Sequence, residues 1–294
     1  MLVTKTFHDI QTKQDPNGRP MRIFVISPVL KEYPHAKFPG VVVFSEIYQV
    51  TGPVERFASQ IASQGYVVAC PSSYHEFEGP DPIPYDTEGT DRGNKYKIEK
   101  RVDAYDEDAT LSVDLLISLS NCNGRIAATG MCLGGHLAFR ASDTRVFSAH
   151  LRHLNIVSQA AFDPRVLASF CWFATDIHSA TLGRGKNDDS LVKVRNGELT
   201  GKGELIMVFG KQDTHVPRTG RDLIRSTLEE ANVPVTFLEV QAQHAFIRDE
   251  SSKGRYDAAL TRSLFGMMME VFDRTVARDL GQRVVNHKPV EHVC

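Results

Sequence analysis

The most restrictive feature of this sequence is a repeated alternation between short apolar runs, rich in β-branched residues, and amphipathic segments of helical period. The runs VVVF at 41–44 and YVVAC at 66–70 flank an amphipathic segment over 54–63. Strand, helix and strand in this order are typical of two parallel strands joined by a helical crossover. The alternation resumes with ELIMVFG at 204–210 and VTFLEV at 235–240. It predicts an α/β fold, in which a mostly parallel twisted sheet of about eight strands is covered by helices on both faces.

The same patterns predict the remaining elements. The chain opens with two candidate strands on either side of the turn PNGRP, which indicates a hairpin. Residues 75–94 are rich in Pro and Gly and are expected to be irregular. The predicted strands not yet named are 2–10, 21–27, 125–129 and a run near Ser169. The predicted helices not yet named are 102–120, a segment that opens after Cys132, 218–231 and 256–276.

The chain contains no internal repeat and no linker that would divide it, so one α/β domain over residues 1–276 is expected. Two long polar connections, roughly 143–164 and 176–203, interrupt the alternation as insertions. Each is interpreted as a surface loop, with a cap over a pocket or an oligomer contact as the alternative. The polar tail at 277–294 is expected to be disordered.

Charge and hydropathy exclude several classes of partner. The 294 residues include 34 basic and 36 acidic side chains, for a formal net charge of -2, without a long basic block. Nucleic acid and anionic membrane surfaces are therefore not expected as partners. The N-terminal MLVTKTFHDI lacks the pattern of a secretory signal, and no apolar stretch approaches the length of a membrane span. These features predict a cytoplasmic protein, and they leave its oligomeric state open, a homodimer included.

The cysteines indicate neither a disulfide framework nor a zinc site. The chain has five, none in CxxC spacing, at positions 70, 122, 132, 171 and 294. No metal or other cofactor is expected. Three of the cysteines lie in or beside apolar strand-like runs, where they are interpreted as small core residues. Cys132 is the exception, because glycines surround it in GMCLGG.

The residues around Cys132 are typical of a nucleophile on a tight turn between a strand and a helix. Such a turn needs small flanking residues because its backbone is strained and side chains would clash with the strand and the helix. Gly130 and Gly134 flank Cys132 at the required spacing. The start of a helix also favours a thiolate. The alternative is a glycine-rich turn that carries an inert cysteine.

An acid and a histidine follow Cys132 in the order that a hydrolase of this sheet type requires. Asp213 lies just past the run ELIMVFG, and His244 lies just past VTFLEV. Catalytic groups collect at the carboxyl ends of parallel strands, so Asp213 and His244 can meet Cys132 along one sheet edge. Each also has an alternative without a catalytic role, since Asp213 could be a turn-forming residue and His244 a solvated loop residue. His215 is a second candidate for the base, ranked below His244.

Together these motifs resemble the dienelactone hydrolase family, whose members have the α/β-hydrolase fold and a Cys-His-Asp triad. The resemblance extends from about Arg22 to Phe272. It rests on G-x-C-x-G-G at 130–135, G-x-x-D-x-x-V-P at 210–217, H-x-F at 244–246 and the first βα unit, which begins SEIYQVTGPVERF.

The resemblance implies roles for five further residues. Glu46 corresponds to the glutamate that helps to ionise the cysteine when substrate binds. The backbone N–H groups of Leu133 and Ile47 match the oxyanion hole of the family. Arg248, four residues beyond His244, and Arg92, placed by the sequence in an irregular loop, match arginines that bind a substrate carboxylate, with surface arginines as the alternative.

The implied activity is hydrolysis of an ester or lactone, with a small carboxylated enol-lactone of the dienelactone type as the expected substrate. A hydrolase or thioesterase for a bulkier ester of the polyketide type is an alternative within enzymes. A binding protein that keeps the fold without catalysis is an alternative of another class. A cysteine peptidase is disfavoured by the order of the triad and by the segment around Glu46.

Overall fold

A computed structural model describes residues 1–141, 163, 165–199 and 203–278. The strands of these ranges are β1 (Leu2–Ile10), β2 (Met21–Val29), β3 (Phe38–Phe44), β4 (Val67–Pro71), β5 (Cys122–Met131), β6 (Val166–Trp172), β7 (Glu204–Gly210) and β8 (Val235–Val240). The helices are α1 (Gly52–Ser63), α2 (Thr87–Glu99), α3 (Val102–Ser118), α4 (Leu133–Arg140), α5 (Ser190–Arg195), α6 (Arg218–Glu230) and α7 (Ala258–Phe272), and a π-helical turn (Asp273–Ala277) follows α7.

The strands form one eight-stranded sheet in the order β1-β2-β4-β3-β5-β6-β7-β8. From β4 to β8 all neighbours are parallel, whereas β2 is antiparallel to both β1 and β4. The predicted opening hairpin and the predicted parallel sheet are confirmed. Because β3, β5, β6, β7 and β8 run in the same direction, their carboxyl ends share one edge of the sheet.

Apolar side chains fill a layer on each face of the sheet. In β3, Val41 and Val43 pack into the layer that contains α1 and α7, while Val42 and Phe44 pack into the layer that contains α3, α4 and α6. A strand that is buried on both faces needs apolar residues at successive positions rather than at alternate ones. This requirement explains the continuous apolar runs from which the sheet was predicted.

The structure corrects one predicted region. Residues 87–94, expected to be irregular, belong to α2, so Arg92 lies on a helix and not in a loop. The Asp86 carboxylate caps this helix by accepting a hydrogen bond of 2.7 Å from the Gly89 N–H. A Cβ at Gly93 would lie 2.3 Å from the Ile47 carbonyl oxygen. The glycines thus permit close packing of the helix, although in the sequence they read as helix breakers.

Part of the remaining sequence lies outside the described residues. The first predicted insertion, about 143–164, falls almost wholly outside them, and so do Cys294 and the tail beyond 278. The second, about 176–203, is described except at 200–202, and it contains α5. Its first residues line the cavity described below.

Candidate active site

Cys132 lies between β5 and α4, in a backbone conformation that is unusual for a residue with a side chain. Its φ is 60° and its ψ is -118°. Its carbonyl oxygen accepts hydrogen bonds from the N–H groups of Gly135 at 3.1 Å and Thr175 at 3.3 Å, which hold the turn in place. A strained, well-supported conformation of this kind is a frequent feature of functional sites.

The glycines beside Cys132 are required by contacts with the backbone. A Cβ at Gly130 would lie 2.2 Å from the Gly134 carbonyl oxygen, and one at Gly134 would lie 2.1 Å from that of Phe44. A Cβ at Gly135 would lie 2.5 Å from the carbonyl oxygen of Trp172. Real Cβ atoms do not approach a carbonyl oxygen so closely, so β3, β5, β6 and α4 can meet at this turn only through glycine.

Asp213 and His244 meet beyond the carboxyl ends of β7 and β8. His244 Nδ1 donates a hydrogen bond of 2.7 Å to Asp213 Oδ2, and both side chains are buried. Asp213 Oδ1 accepts from the backbone N–H of His215 at 2.8 Å. A Cβ at Gly210 would lie 2.3 Å from the Ala242 carbonyl oxygen, so this glycine lets the two loops approach each other.

Electrostatics couple His244 to Cys132. Burial alone would lower the pKa of His244, but the negative charge of the Cys132 sulfur, with hydrogen bonds to Asp213 and Cys132, raises this pKa to about 10. Burial would raise the pKa of Asp213, yet the hydrogen bond and charge of His244 hold it below the usual value. These directions favour an imidazolium at His244 that is oriented by an ionised carboxylate at Asp213.

His215, the second candidate for the base, occupies a different place in the same site. Its ring centroid lies 4.4 Å from that of His244, and it lines the same cavity. Only its backbone N–H contacts the Asp213 carboxylate directly, at 2.8 Å. Burial, followed by the charge of His244, lowers the pKa of the His215 ring. The described contacts therefore orient His244, and not His215, toward Cys132.

A cavity of about 310 Å³ opens above these groups. Cys132, His244 and Glu46 line it, together with the backbone segment at Ile47. Leu133 is the first residue of α4, where an N–H has no partner within the helix. The resemblance assigned the oxyanion hole to the backbone N–H groups of Ile47 and Leu133. These two residues directly follow Glu46 and Cys132 in the chain.

Glu46 is buried and binds two side chains of the cavity wall. Its Oε2 accepts a hydrogen bond of 3.1 Å from the Tyr85 hydroxyl, and its Oε1 lies 3.5 Å from Nη1 of Arg248. Arg248 is also buried, and its guanidinium carbon lies 4.4 Å from the centroid of the Tyr85 ring. Its Nε has no hydrogen-bond partner among the described residues. The structure thus brings Glu46 and Arg248 together, and it shows no hydrogen bond from Glu46 to Cys132.

Arg92, proposed from the sequence as a second substrate-binding arginine, does not line the cavity. Its Nε lies 3.3 Å from Glu78 Oε2, and its Nη1 lies 3.9 Å from Glu88 on the same helix. Arg92 is absent from the cavity wall, to which its helix contributes Thr90, Asn94 and Lys97.

Sequence reasoning missed several residues of the cavity wall. They are Tyr48, Tyr85, Lys97, Asp176, His178, Ser179, Lys253 and Arg255. Most lie in loops or in the polar helix α2, where no periodic pattern distinguishes a residue that faces a pocket from one that faces solvent. The sequence hinted at further cavity residues only near Arg248, because two more cations, Lys253 and Arg255, follow it within the short segment RDESSKGR.

The described ranges contain no group of three or more His, Cys, Asp or Glu side chains arranged to hold a metal ion. None of their helices combines the length and the apolar character needed to cross a bilayer.

Comparison with known proteins agrees with the fold. A protein of Saccharomyces cerevisiae, provisionally named a carboxymethylenebutenolidase, is 53% identical over 296 residues, which cover all of both chains. The crystal structure of a provisionally assigned dienelactone hydrolase from Klebsiella pneumoniae superposes with a TM-score of 0.68 at 17% identity, covering 93% of this chain and 100% of that one. A dienelactone hydrolase-like promiscuous phosphotriesterase from metagenomic libraries gives 0.65 at 15% identity, covering 93% and 99%.

At such low identities the two solved structures show the α/β-hydrolase fold and no more. The family itself is shown by a sequence model, which matches residues 26–153 and 158–276. With the fold, the full-length relative and this match in agreement, the chain belongs to the dienelactone hydrolase family and is a hydrolase of the α/β-hydrolase fold.

Proposed function

We propose that this hydrolase cleaves a small carboxylated ester or lactone of the dienelactone type, with Cys132 as the nucleophile. The observation that carries the proposal is the hydrogen bond of 2.7 Å between His244 and Asp213, next to a cysteine on a strained turn. Cysteine, histidine and aspartate in this arrangement are suited to acyl transfer.

In the first step, the Cys132 thiolate attacks the substrate carbonyl and a carbon–sulfur bond forms. The negative charge moves to the carbonyl oxygen, where the N–H groups of Leu133 and Ile47 stabilise it. The bond to the leaving oxygen then breaks, and imidazolium His244 donates its proton to that oxygen. The products of this step are a thioester on Cys132 and the released alcohol, which in a lactone stays attached to the acyl group.

In the second step, neutral His244 removes a proton from water, and the resulting hydroxide attacks the thioester. The carbon–sulfur bond breaks, the carboxylic acid leaves and the Cys132 thiolate is restored. Asp213 keeps the proton of His244 on Nδ1 throughout, so that Nε2 is free for the sulfur, the leaving group and water.

Glu46 has a supporting role in this proposal. Its carboxylate is bound to Arg248 and Tyr85. A substrate carboxylate that approaches the unpartnered Nε of Arg248 competes with Glu46 for the guanidinium. The released Glu46 is then able to assist the ionisation of Cys132, which is the role that the family resemblance assigns to it.

The size of the cavity supports a small substrate. A volume of about 310 Å³ is at the lower end of the usual range for small-molecule sites. A bulky polyketide-type ester would need more space, and no observation on the described residues favours it. The intact geometry of Asp213 and His244 beside Cys132 likewise gives no support to a binding protein without catalysis.

The test follows the loss of ultraviolet absorbance of a dienelactone, with 4-nitrophenyl acetate in parallel. We expect the wild type to hydrolyse both, and Cys132→Ala and His244→Ala each to lose at least about a thousandfold in kcat, because either change removes a reacting group. The exposed His35 provides the matched control, since His35→Ala should retain wild-type rates. Circular dichroism and thermal melting establish that the variants are folded.

Retained turnover in both Cys132→Ala and His244→Ala would disprove the assigned chemistry. Hydrolysis of the acetate alone, lost in both variants, would keep the nucleophile and the base but contradict the dienelactone substrate. An inactive wild type whose Cys132 also resists iodoacetamide would support the binding-protein alternative.

A further inference from the structure

The first strand of the sheet, β1, forms an open edge. It stands at the end of the strand order and pairs on one side only, with β2. Seven of its nine residues are exposed, whereas every residue of β8, at the opposite edge, is partly buried. Natural proteins usually shorten or protect such an edge, because its free N–H and C=O groups can pair with a strand of another molecule.

The contacts of β2 show which backbone groups of β1 are free. The Arg22 carbonyl oxygen accepts a hydrogen bond of 2.8 Å from the Ser72 N–H, just past β4, and the Arg22 N–H donates to the Ser72 hydroxyl at 3.1 Å. Both groups of Arg22 therefore face β4, on the side away from Asp9, its register partner in β1. In an antiparallel pair of this kind the opposite residue also directs its groups outward. The N–H and C=O of Asp9 thus point to the open edge.

The same orientation recurs at every second residue of β1. Val3, Lys5 and Phe7 share it with Asp9, because the register with β2 continues without a bulge over residues 2–10. Outside the ladder between β1 and β2, the described residues form no hydrogen bond with these N–H and C=O groups. The edge therefore presents a continuous row of donors and acceptors.

The usual protection against pairing at an edge is missing from β1. The strand contains no proline and no bulge. A lysine protects an edge through its uncompensated charge, but Lys5 is paired with Glu55 of α1. Asp9 is likewise paired with Arg22, at 2.8 Å. Both charged side chains of β1 are thus compensated within the chain, and neither opposes the approach of another strand.

The side chains of β1 are complementary to those of a second copy of β1 about a two-fold axis at Phe7. In this antiparallel register Phe7 lies opposite Phe7 of the second copy, and Lys5 lies opposite Asp9. All of these residues direct their backbone groups outward, so each opposed pair exchanges two hydrogen bonds. Opposite charges and aromatic pairs across strands add to the stability. Phe7 is 54% exposed although Arg22 stacks on its ring at 3.9 Å, so it still has apolar surface to bury.

The neighbouring registers are matched less well. An axis at Lys5 sets two lysines against each other, which is destabilising. An axis at Thr6 places Lys5 opposite Phe7, and an axis at His8 places Phe7 opposite Asp9, so both lose the pair of opposite charges. The strand is therefore self-complementary in one register.

We propose that β1 is the interface of a homodimer, in which it pairs antiparallel with β1 of a second copy about an axis at Phe7. The two eight-stranded sheets then form one continuous sheet. Each copy uses its β1 edge once, so the pairing is closed and yields dimers rather than longer assemblies. The proposal does not depend on the proposed hydrolysis, because no residue of β1 lines the cavity above Cys132.

The first test measures the mass of the full chain by sedimentation. Over concentrations from about 1 µM to about 100 µM we expect the wild type to reach twice the mass of one chain. Phe7→Lys should raise the dissociation constant of the dimer at least about tenfold, because two like charges then oppose each other at the axis. Tyr33→Lys is the matched control, since it places the same charge at an aromatic residue that is 66% exposed and lies outside β1. It should leave the constant unchanged.

The second test traps the register with a disulfide. Equivalent residues at the axis are about 5.5 Å apart between Cα atoms, which a disulfide can bridge, so Phe7→Cys should cross-link two chains on mild oxidation. In Thr4→Cys the equivalent residues lie about 20 Å apart along the strands, so this control should not cross-link. The wild type, with its native cysteines, measures the background on a non-reducing gel. Circular dichroism and thermal melting establish that all variants are folded.

A wild type that stays monomeric at about 100 µM would overturn the proposal and leave the edge of β1 to a strand of another protein. A dimer that folded Phe7→Lys leaves intact would place the interface elsewhere and overturn it as well. Stronger cross-linking in Thr6→Cys than in Phe7→Cys would refute the register.

Discussion

At the scale of single residues, the conformation of Cys132 explains why its neighbours are glycines. Its φ of 60° places the sulfur at the end of β5 and the start of α4, where the backbones of several elements converge. The motif was readable in the sequence because it consists of consecutive residues. The partners of Glu46 could not be recognised in the sequence, since Tyr85 and Arg248 are separated from it by 39 and 202 positions.

Asp213 offers a residue-scale prediction. Asp213→Asn should lower kcat by about 10²- to 10⁴-fold with little change in KM, because an amide nitrogen facing His244 Nδ1 favours the wrong tautomer of the ring. Steady-state kinetics with the acetate ester measure the loss. A variant with wild-type kcat would show that the hydrogen bond of 2.7 Å does not orient the base.

At the scale of elements, the unit made of β5, the turn at Cys132 and α4 holds the proposed nucleophile, Cys132, beyond the carboxyl end of β5. The sequence predicted this unit, the flanking strands and most helices to within a few residues, because continuous apolar runs report burial on both faces of a sheet. It failed for α2, whose polar surface and internal glycines hide its helical period. That helix is stabilised by the Asp86 cap and by packing on the Ile47 backbone, which are tertiary and capping contacts rather than an apolar stripe.

Gly134 provides a prediction at this scale. Gly134→Ala should lower the free energy of unfolding by more than about 3 kcal/mol, or prevent folding, because the new Cβ would lie 2.1 Å from the Phe44 carbonyl oxygen. Gly266, in the exposed part of α7, has no atom within 4 Å of such a Cβ. Gly266→Ala should therefore stabilise the protein by about 0.5–1 kcal/mol, as alanine does inside a helix.

Urea denaturation of the two variants and the wild type measures both effects. If Gly134→Ala and Gly266→Ala were equally tolerated, the close contact at the turn would not determine the choice of glycine.

At the scale of the whole molecule, His244 links the active site to global stability. Its pKa is raised to about 10 from an ordinary value of 6.5, so the folded protein binds this proton more tightly than the unfolded chain does. This tighter proton binding stabilises the folded protein. The stabilisation is complete below the pKa that His244 has in the unfolded chain and is lost as the pH rises through its pKa in the folded protein. The lowered pKa of Asp213 has the opposite dependence on pH. Its contribution to the free energy of unfolding is present above the unfolded pKa of 3.8 and is lost as the pH falls through the folded pKa.

The resulting prediction concerns alkaline pH. Between about pH 7 and pH 10, the free energy of unfolding should fall more steeply in the wild type than in His244→Gln, by up to about 1.4 kcal/mol per pH unit for one proton. Urea denaturation at several pH values in this interval measures both slopes. Parallel curves for the two proteins would contradict a raised pKa at His244.

The sequence by itself determined the class of fold and the order of the strands along the chain, and it singled out Cys132, Asp213 and His244 as the candidate catalytic residues. These follow from local patterns, since burial of a strand and the geometry of a turn act on neighbouring residues. Only the tertiary structure decided that Glu46 pairs with Arg248, that Arg92 lies away from the cavity and that Lys253 and Arg255 line it. Those outcomes depend on contacts between distant segments, and local sequence patterns do not specify such contacts. Near Arg248 the sequence shows only that two further cations follow, and not that they line the cavity.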